Sequence, residues 1–330
     1  MTRTLRVRAE TWPLRRPFAI ARGLKTAAEV VVAEIEEDGR VGRGECVPYG
    51  RYGETVGGVV AALEDCTAAV AAGLTVEALQ ANLPAGAARN ALDCALWDLV
   101  AKKAGRRAWD LAGLAAPAPV RTAETISLAE PEAMAAAAAG IAAAADAPPL
   151  LKIKLGADEV AERVAAVRAA APGARLIVDA NEGWTLAALE RLVRPLEDLG
   201  VEMIEQPLPA GQDTDLAGLS SPIILCADES CHGVADLDRL AGYGMVNVKL
   251  DKTGGLTGAL ELVAAARARG LAVMIGCMVA TSLAMAPATL LTAGAEIVDL
   301  DGPLWLSRDR DPSLRYAEGR VYPPPPSLWG

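Results

Sequence analysis

The chain has 330 residues, of which 52% are apolar, and a formal net charge of −10. That length exceeds one typical core and suits a large barrel or two domains. The acidic balance argues against nucleic acid or an anionic membrane surface as partner, and no apolar run reaches transmembrane length.

Residues 1 to about 48 read as β-rich. Thr4–Arg8, Ala28–Glu36 and Gly42–Cys46 are strand-like, and Asp38-Gly39 is a hairpin turn signal. Pro17–Thr26 and Tyr49–Glu54, polar and glycine-containing, read as loops. Helices are predicted over Thr55–Ala72, Thr75–Ala81 and Ala85–Ala104. The last carries Ala91, Leu92, Ala95, Leu96 and Leu99 on one stripe. Pro117 and Pro119 mark a boundary, so residues 1–116 form an α+β domain.

From Val120 the rhythm becomes strand–helix–strand. Strand candidates are Val120–Leu128, Leu150–Leu155, Arg175–Ala180, Val201–Gln206, Ile223–Ala227, Met245–Leu250, Ala272–Cys277 and Glu296–Asp301. Helical stretches separate them, including the alanine-rich Met134–Ala145. The fold class is α/β, with a (β/α)₇β modified TIM barrel over residues 117–304. The tail 305–330, with its run of prolines and two tryptophans, is expected to pack back on the first domain.

The six cysteines (Cys46, Cys66, Cys94, Cys226, Cys231, Cys277) show no Cys-x-x-Cys spacing. They read as reduced thiols of a cytoplasmic protein, and no signal-peptide pattern opens the chain. His232 is the single histidine, so a multi-histidine metal site is excluded. Following Asp228-Glu229-Ser230, it is read either as near the site or, in preference, as a surface residue starting the next helix. Acid–base chemistry falls to carboxylates and lysines.

The central stretch is Leu150–Gly156, Leu-Leu-Lys-Ile-Lys-Leu-Gly. Side chains alternate along a strand, so Lys152 and Lys154 share one face. Alone, this describes an edge strand with a solvated face. The later strand ends reverse that reading. They supply Asp179 and Asn181, Glu205, Asp228, then Lys249 with Asp251 and Lys252, then Cys277 and Met278, and finally Asp299 and Asp301. Barrel enzymes place their sites at these C-terminal ends. A single aspartate there is ordinarily a helix N-cap. Acids on three successive strand ends, flanked by lysines, are not explained that way.

Asp179, Glu205 and Asp228 come from adjacent strands and converge. Three carboxylates at close range need a cation, and an oxygen-only set suits one Mg²⁺ per subunit. The second and sixth strands stand opposite in a ring of eight, so Lys154 and Lys249 face each other across a substrate. Asp299 and Asp301 lie opposite Glu205 and suit a cationic substrate end. A carbon beside a metal-bound carboxylate loses a proton when the enediolate is stabilised. A nearby metal and a second lysine, such as Lys152, favour a neutral lysine base. Bases on both faces mean racemisation or epimerisation. Asn181 and Asp251 read as residues orienting the metal or a lysine.

These residues resemble the enolase superfamily, in the muconate-lactonising-enzyme subgroup with its Lys-x-Lys and paired lysine. Asp299-Leu300-Asp301, followed by Gly302-Pro303, is similar to the Asp-x-Asp of dipeptide epimerases, which holds a substrate ammonium. Ile20–Gly23, Pro84–Asp93 and Leu250–Gly255 are similar to bacterial epimerases of the L-Ala-D/L-Glu type. The resemblance implies that the first domain caps the barrel and selects substrate through residues 18–26 and 49–54. It implies that Lys25, best aligned with an arginine that some of these epimerases carry in the first loop, or Arg22 meets the glutamate side chain. Lysine is a point charge where arginine is a fork. Cys277 and Met278 would touch substrate. A role in recycling cell-wall peptides follows from the resemblance alone. N-acylamino acid racemase, o-succinylbenzoate synthase or another dipeptide specificity are the alternatives; their acylated or carboxylate substrates have no ammonium for Asp299 and Asp301. A non-catalytic barrel binding a metal or an amino acid is the other alternative, and it has no use for opposed lysines. A small dipeptide is the expected partner, and a homo-oligomer is left open.

Overall fold

The structure, a computed structural model, describes residues 3–330, with the side chain of Asp213 outside that description. Strands β1 (Thr4–Ile20), β2 (Gly23–Glu37) and β3 (Arg40–Cys46) form an antiparallel sheet in the order β1-β2-β3. Period-two alternation gives β2 two buried faces. Val31, Ala33 and Ile35 pack with Ala91, Leu92, Ala95, Leu96 and Leu99, while Val30 and Val32 join the large cluster that includes the barrel. The helical stripe belongs to α4 (Ala87–Ala104), which follows α1 (Val56–Asp65), α2 (Thr67–Ala71) and α3 (Val76–Asn82). A Cβ on Gly44 would overlap the Ala91 carbonyl, so only glycine lets β3 lie on α4.

Two expectations for this domain are corrected. Pro17–Thr26 is not a loop: it forms the end of a hairpin, with Phe18 paired to Lys25 and Ile20 to Gly23. The polar residues are tolerated because this ribbon projects beyond the sheet and is exposed at Arg22–Lys25. Thr55–Ala72 is two helices, broken at Cys66. The Thr67 hydroxyl donates to Glu64 O at 2.6 Å, a local bond that competes with the helix.

The barrel strands are β5 (Ala123–Ile126), β6 (Leu150–Lys154), β7 (Arg175–Asp179), β8 (Val201–Glu205), β9 (Ile224–Ala227), β10 (Met245–Val248), β11 (Ala272–Ile275) and β12 (Ile297–Val298). They pair in parallel in sequence order as an eight-stranded sheet. The short β4 (Val120–Arg121) instead joins β13 (Tyr316–Ala317) and β14 (Arg320–Val321) of the tail. The β12–β5 seam is closed by side chains: Thr122 Oγ1 accepts from Leu300 N at 2.8 Å and Asp301 Oδ2 from Thr125 N at 2.7 Å.

One residue from each strand forms an apolar floor: Ala123, Leu150, Ile177, Met203, Cys226, Met245, Met274 and Ile297. Two positions on, the same inward face carries Thr125, Lys152, Asp179, Glu205, Asp228, Asn247, Gly276 and Asp299. Four positions on, it carries Lys154, Lys249 and Asp301. The alternating strand face therefore points into the barrel rather than to solvent. The outward residues, such as Leu151, Ile153, Val178 and Ile204, pack under the helices.

The first domain sits on this barrel through buried polar contacts. Asp93 accepts from Thr257 N and Oγ1 at 3.1 and 2.6 Å. The tail returns to the same helix. Trp329 is fully buried and donates from Nε1 to Cys94 O at 3.0 Å, and Gly330 N donates to Asp98 Oδ1 at 2.7 Å.

Candidate active site

The inward residues open into a cavity of about 410 Å³ between the barrel mouth and the β1–β2 hairpin. Its walls include Lys152, Lys154, Lys249, Asp228, Asp299 and Asp301. Lys152 is almost wholly buried and stands 2.6 Å from Glu205 Oε2, 2.8 Å from Asp299 Oδ2 and 3.4 Å from Asp179 Oδ2. Lys154 Nζ donates to Asp179 Oδ2 at 2.5 Å, and Lys249 Nζ to Asp228 Oδ2 at 2.6 Å. β6 and β10 are four strands apart in the sheet of eight, so these two lysines approach the cavity from opposite sides.

Neighbouring charge decides each protonation state. Burial works against the Lys152 ammonium, but Asp299, Glu205 and Asp179 outweigh it and hold its pKa well above the ordinary value. Lys249 is likewise held high, with Asp228 and Glu205 overcoming burial. Burial raises Asp228, yet Lys249 and Lys252 carry it well below the usual carboxylate range. Glu205 goes the other way: burial and the charge of Asp179 push it up. Burial and Asp299 raise Asp301 to about 6.

Asp179, Glu205 and Asp228 end β7, β8 and β9 side by side, with Asp179 in register with Glu205 and Glu205 with Cys226. Among the described residues, no three acid, cysteine or histidine side chains form a ready cation cage, because the lysines take the carboxylate oxygens. The donor chemistry nevertheless fits a hard cation. All three groups are fully buried, all are oxygen, and Glu205 Oε2 makes no aligned hydrogen bond. Asp299 Oδ1 is buried and unpaired as well, which leaves an acceptor for a cationic substrate group.

The other expected residues divide. Cys277 and Met278 line the cavity, as does Lys25, whose ammonium lies 5.1 Å from the Tyr49 ring centre. Arg22 also lines it, but its guanidinium donates to Asn181 O, Glu182, Tyr49 and Glu229, the last at 2.6 Å. It clamps the hairpin to the barrel. Asn181, at φ 46°, donates its backbone N–H to Asp179 Oδ1 at 2.8 Å.

Asp251 does not share the strand face of Lys249. The strand ends before it, and a helical turn, Leu250–Thr253, rotates it toward the first domain. There Oδ1 accepts from Val47 N at 3.0 Å and Asn90 Nδ2 at 2.8 Å. His232 is not a surface residue starting a helix. It is half-buried, edge-on to Tyr52 at 4.3 Å, because Asp236 draws its N–H into the loop at 2.8 Å.

Asn247 and Gln206 were missed, and Lys252 was named at its strand end without a role. Lys252 donates to Asp228 O, Asp228 Oδ1 and Asn247 O. Asn247 Nδ2 donates to Glu205 Oε1 at 2.7 Å. Gln206 Oε1 accepts from Asp228 N at 2.9 Å. Asn247 was detectable: Met245-Val246-Asn247-Val248-Lys249 repeats the polar alternation of Leu150–Lys154. Phe18 and Tyr52, also in the cavity wall, fall within the stretches 18–26 and 49–54 that the resemblance implied, though nothing singled out either residue.

Comparison with known proteins agrees with this geometry. Residues 133–326 match the family described as enolase C-terminal domain-like, and residues 2–113 the mandelate racemase/muconate lactonizing enzyme N-terminal domain. The chain is 49% identical over 321 residues to L-Ala-D/L-Glu epimerase of Escherichia coli, covering 97% of this chain and 99% of that protein. It is 44% identical to an N-acetyl-D-glutamate racemase from a Pseudoalteromonas species, covering 91% and 95%. A solved structure of an enolase family member from Agrobacterium tumefaciens, with homology to dipeptide epimerases and with bound sodium and L-Ala-L-Glu, superposes with a TM-score of 0.96 at 50% identity. It covers 99% of this chain and 100% of that one. With matches to both domains and near full-length relatives, this chain belongs to the mandelate racemase/muconate lactonizing enzyme family of the enolase superfamily.

Proposed function

We propose that the protein epimerises dipeptides of the L-Ala-D/L-Glu type at the α-carbon of the C-terminal residue, through an enediolate. The observation that carries this reading is the pair Lys154 and Lys249, reaching one cavity from strands four apart, with Asp299 and Asp301 on its wall. The lysine that is neutral removes the α-proton from one face. The other, already an ammonium, delivers a proton to the opposite face. Lys152, fixed among three carboxylates, stays charged and supports the substrate carboxylate. Asp299 and Asp301 take the substrate ammonium, and Lys25 meets the glutamate side chain.

Asp179, Glu205 and Asp228 would hold one Mg²⁺ per subunit. When bound, it supplies positive charge where the carboxylate becomes more negative as the proton leaves. Residues 1–116 act as the cap, 117–304 as the catalytic barrel and 305–330 as the lock between them. A cytoplasmic location and a role in recycling cell-wall peptides belong to the same proposal. Six free cysteines among the described residues suit a reducing compartment.

Likeness to an N-acetyl-D-glutamate racemase favours a second reading, racemisation of an N-acyl amino acid. The buried, unpaired Asp299 Oδ1 favours an ammonium over an acyl group. Proton NMR in D₂O of each pure L-Ala-Glu epimer and of N-acetylglutamate decides between them. The wild type is expected to exchange and invert the dipeptide. Lys154→Ala and Lys249→Ala are each expected to label one epimer without inverting it. No exchange of any dipeptide refutes the reading; inversion by a single-lysine variant at wild-type rate refutes the two-base scheme.

A further inference from the structure

The hairpin strand β1 places one aromatic ring between the two chemical ends of the cavity. Pairing of β1 with β2 slips between Pro13 and Phe18. In that interval β1 leaves its partner and docks on the segment after the barrel. Leu14 bridges to Leu306, Ser307 N donates to Pro13 O at 2.9 Å, and Arg15 Nε donates to Leu306 O at 2.6 Å. Beyond the slip the chain is held again: Ala19 N donates to Ser127 Oγ at 2.7 Å, and Ala19 O accepts from Leu128 N at 3.1 Å. Phe18 is thus anchored on both sides, unlike the exposed hairpin tip at Leu24.

Its ring lies edge-on to Trp305, with centroids 4.6 Å apart at 76°. Trp305 is buried, its Nε1 donates to Asp301 Oδ2 at 3.3 Å, and Arg16 stacks 4.6 Å from its ring centre. On the other side, Lys154 Nζ is 6.0 Å from the centre of the Phe18 ring. The ring therefore adjoins both the lysine at the reacting carbon and the tryptophan that holds the ammonium-binding aspartate. Consecutive α-carbons are only about 3.8 Å apart, so a dipeptide spanning those two ends must pass its N-terminal residue along this ring.

We propose that Phe18, backed by Trp305, sets the upper size of the side chain on the substrate's N-terminal residue. This rests on the dipeptide reading above and deepens it. Alanine fits against the ring. A leucine-sized group meets a wall that cannot withdraw, because the backbone is bonded on both flanks and Trp305 is buried behind it. Phe18 touches no reacting atom in this scheme, so its effect is on selection rather than on proton transfer.

The test is steady-state epimerisation of L-Ala-L-Glu and L-Leu-L-Glu by wild type, Phe18→Ala and Phe18→Leu, each first checked for an unchanged melting profile. The wild type is expected to favour L-Ala-L-Glu by at least about tenfold in kcat/KM, the scale on which pocket size discriminates. Phe18→Ala is expected to cut that preference by about tenfold, chiefly through a lower KM for L-Leu-L-Glu. Phe18→Leu, which keeps a bulky group, is expected to fall between. An unchanged ratio in both variants, or equal use of the two dipeptides by the wild type, overturns the proposal. If the wild type exchanges N-acetylglutamate and no dipeptide, the dipeptide reading is what fails. The same variants are then compared on N-acetyl- and N-isovalerylglutamate, where an unchanged acyl-size preference overturns the role of Phe18 and a relaxed one supports it.

Discussion

Replacing Lys252, in the helical turn after β10, separates a structural lysine from Lys249, the one proposed to react. Lys252 is 1% exposed and spends its ammonium on Asp228 O at 2.6 Å, Asp228 Oδ1 at 2.7 Å and Asn247 O at 2.8 Å. In Lys252→Met the stem volume is conserved and the charge is lost. Asp228 keeps Lys249 as a partner and its carbonyl keeps Cys231 N at 3.1 Å, but Asn247 O loses its lysine donor. Removing one partner of a buried ion pair costs about 3–5 kcal/mol. The orphaned Asn247 carbonyl adds about 1–3 kcal/mol, partly recovered by relaxation and by the apolar replacement. A net loss of about 4 kcal/mol is a large part of a stability of about 5–15 kcal/mol. At about 2 °C per kcal/mol for a large chain, Tm falls by about 8 °C in differential scanning calorimetry. Lys249→Met removes one hydrogen bond to Asp228 and leaves Lys252 in place, so its Tm is expected to fall by less than half as much while epimerisation stops. A Tm change below about 2 °C for Lys252→Met, or a larger loss for Lys249→Met, refutes the assignment of roles.

The tail gives a second test: Trp329→Ala empties a fully buried site and removes the bond to Cys94 O, and is expected to cost about 3–5 kcal/mol, read by urea unfolding. Asp251 gives a pH test. Burial between the domains raises its carboxyl to about 7, so from about pH 4 to 7 the folded protein holds a proton that the unfolded chain has released, and stability falls as pH rises through that window. Asp251→Asn keeps the acceptor for Val47 and Asn90, and is expected to flatten that decline and to melt above wild type at pH 8. Asp299→Asn is expected to raise KM for free dipeptides far more than for N-acyl analogues; equal effects argue against ammonium binding. Glu45→Gln weakens the ties from Glu45 to Thr281 and Arg310, and is expected to raise KM about threefold or more through the Cys277–Val279 wall, measured with L-Ala-L-Glu.

The barrel was legible because its strands are short, apolar and regularly separated by helices, and because inward polar residues interrupt the apolar runs. Leu150–Lys154 could be read two ways in isolation; the floor residues Leu150, Ile177, Met203 and Ile297 show why the inward reading holds. They fix which face is inside, and Lys152, Asp179, Glu205 and Asp299 follow by period two. The failures lie where period two stops. Asp251 sits after a strand has become a helical turn, and His232 in a loop folded by Asp236, so counting residues cannot place either. The Pro17–Thr26 segment failed for another reason. A projecting ribbon buries little on either face and has no alternation to detect. Phe18 lay within the stretch 18–26 that the resemblance implied, but nothing local singled it out, because its proposed role depends on Trp305, far away in sequence.

The charge pattern of the inner layer bears on the cofactor. Lys152, Lys154, Lys249 and Lys252 face five buried carboxylates, Asp179, Glu205, Asp228, Asp299 and Asp301. Glu229 nearby has its own cation in Arg22, 2.6 Å away. With every lysine charged, the layer is one negative charge in excess. A lysine that is to accept a proton must first be neutral, and the excess is then two. That is the charge of one divalent cation, and two of the acids point to where it belongs. Glu205, raised by burial and by the charge of Asp179, has an oxygen without an aligned donor. Asp228 is the group that keeps Lys249 charged. A cation drawing on both oxygens would relieve the repulsion at Glu205 and loosen the hold of Asp228 on Lys249. Carboxylates holding a metal there would in this way govern when the lysine becomes a base.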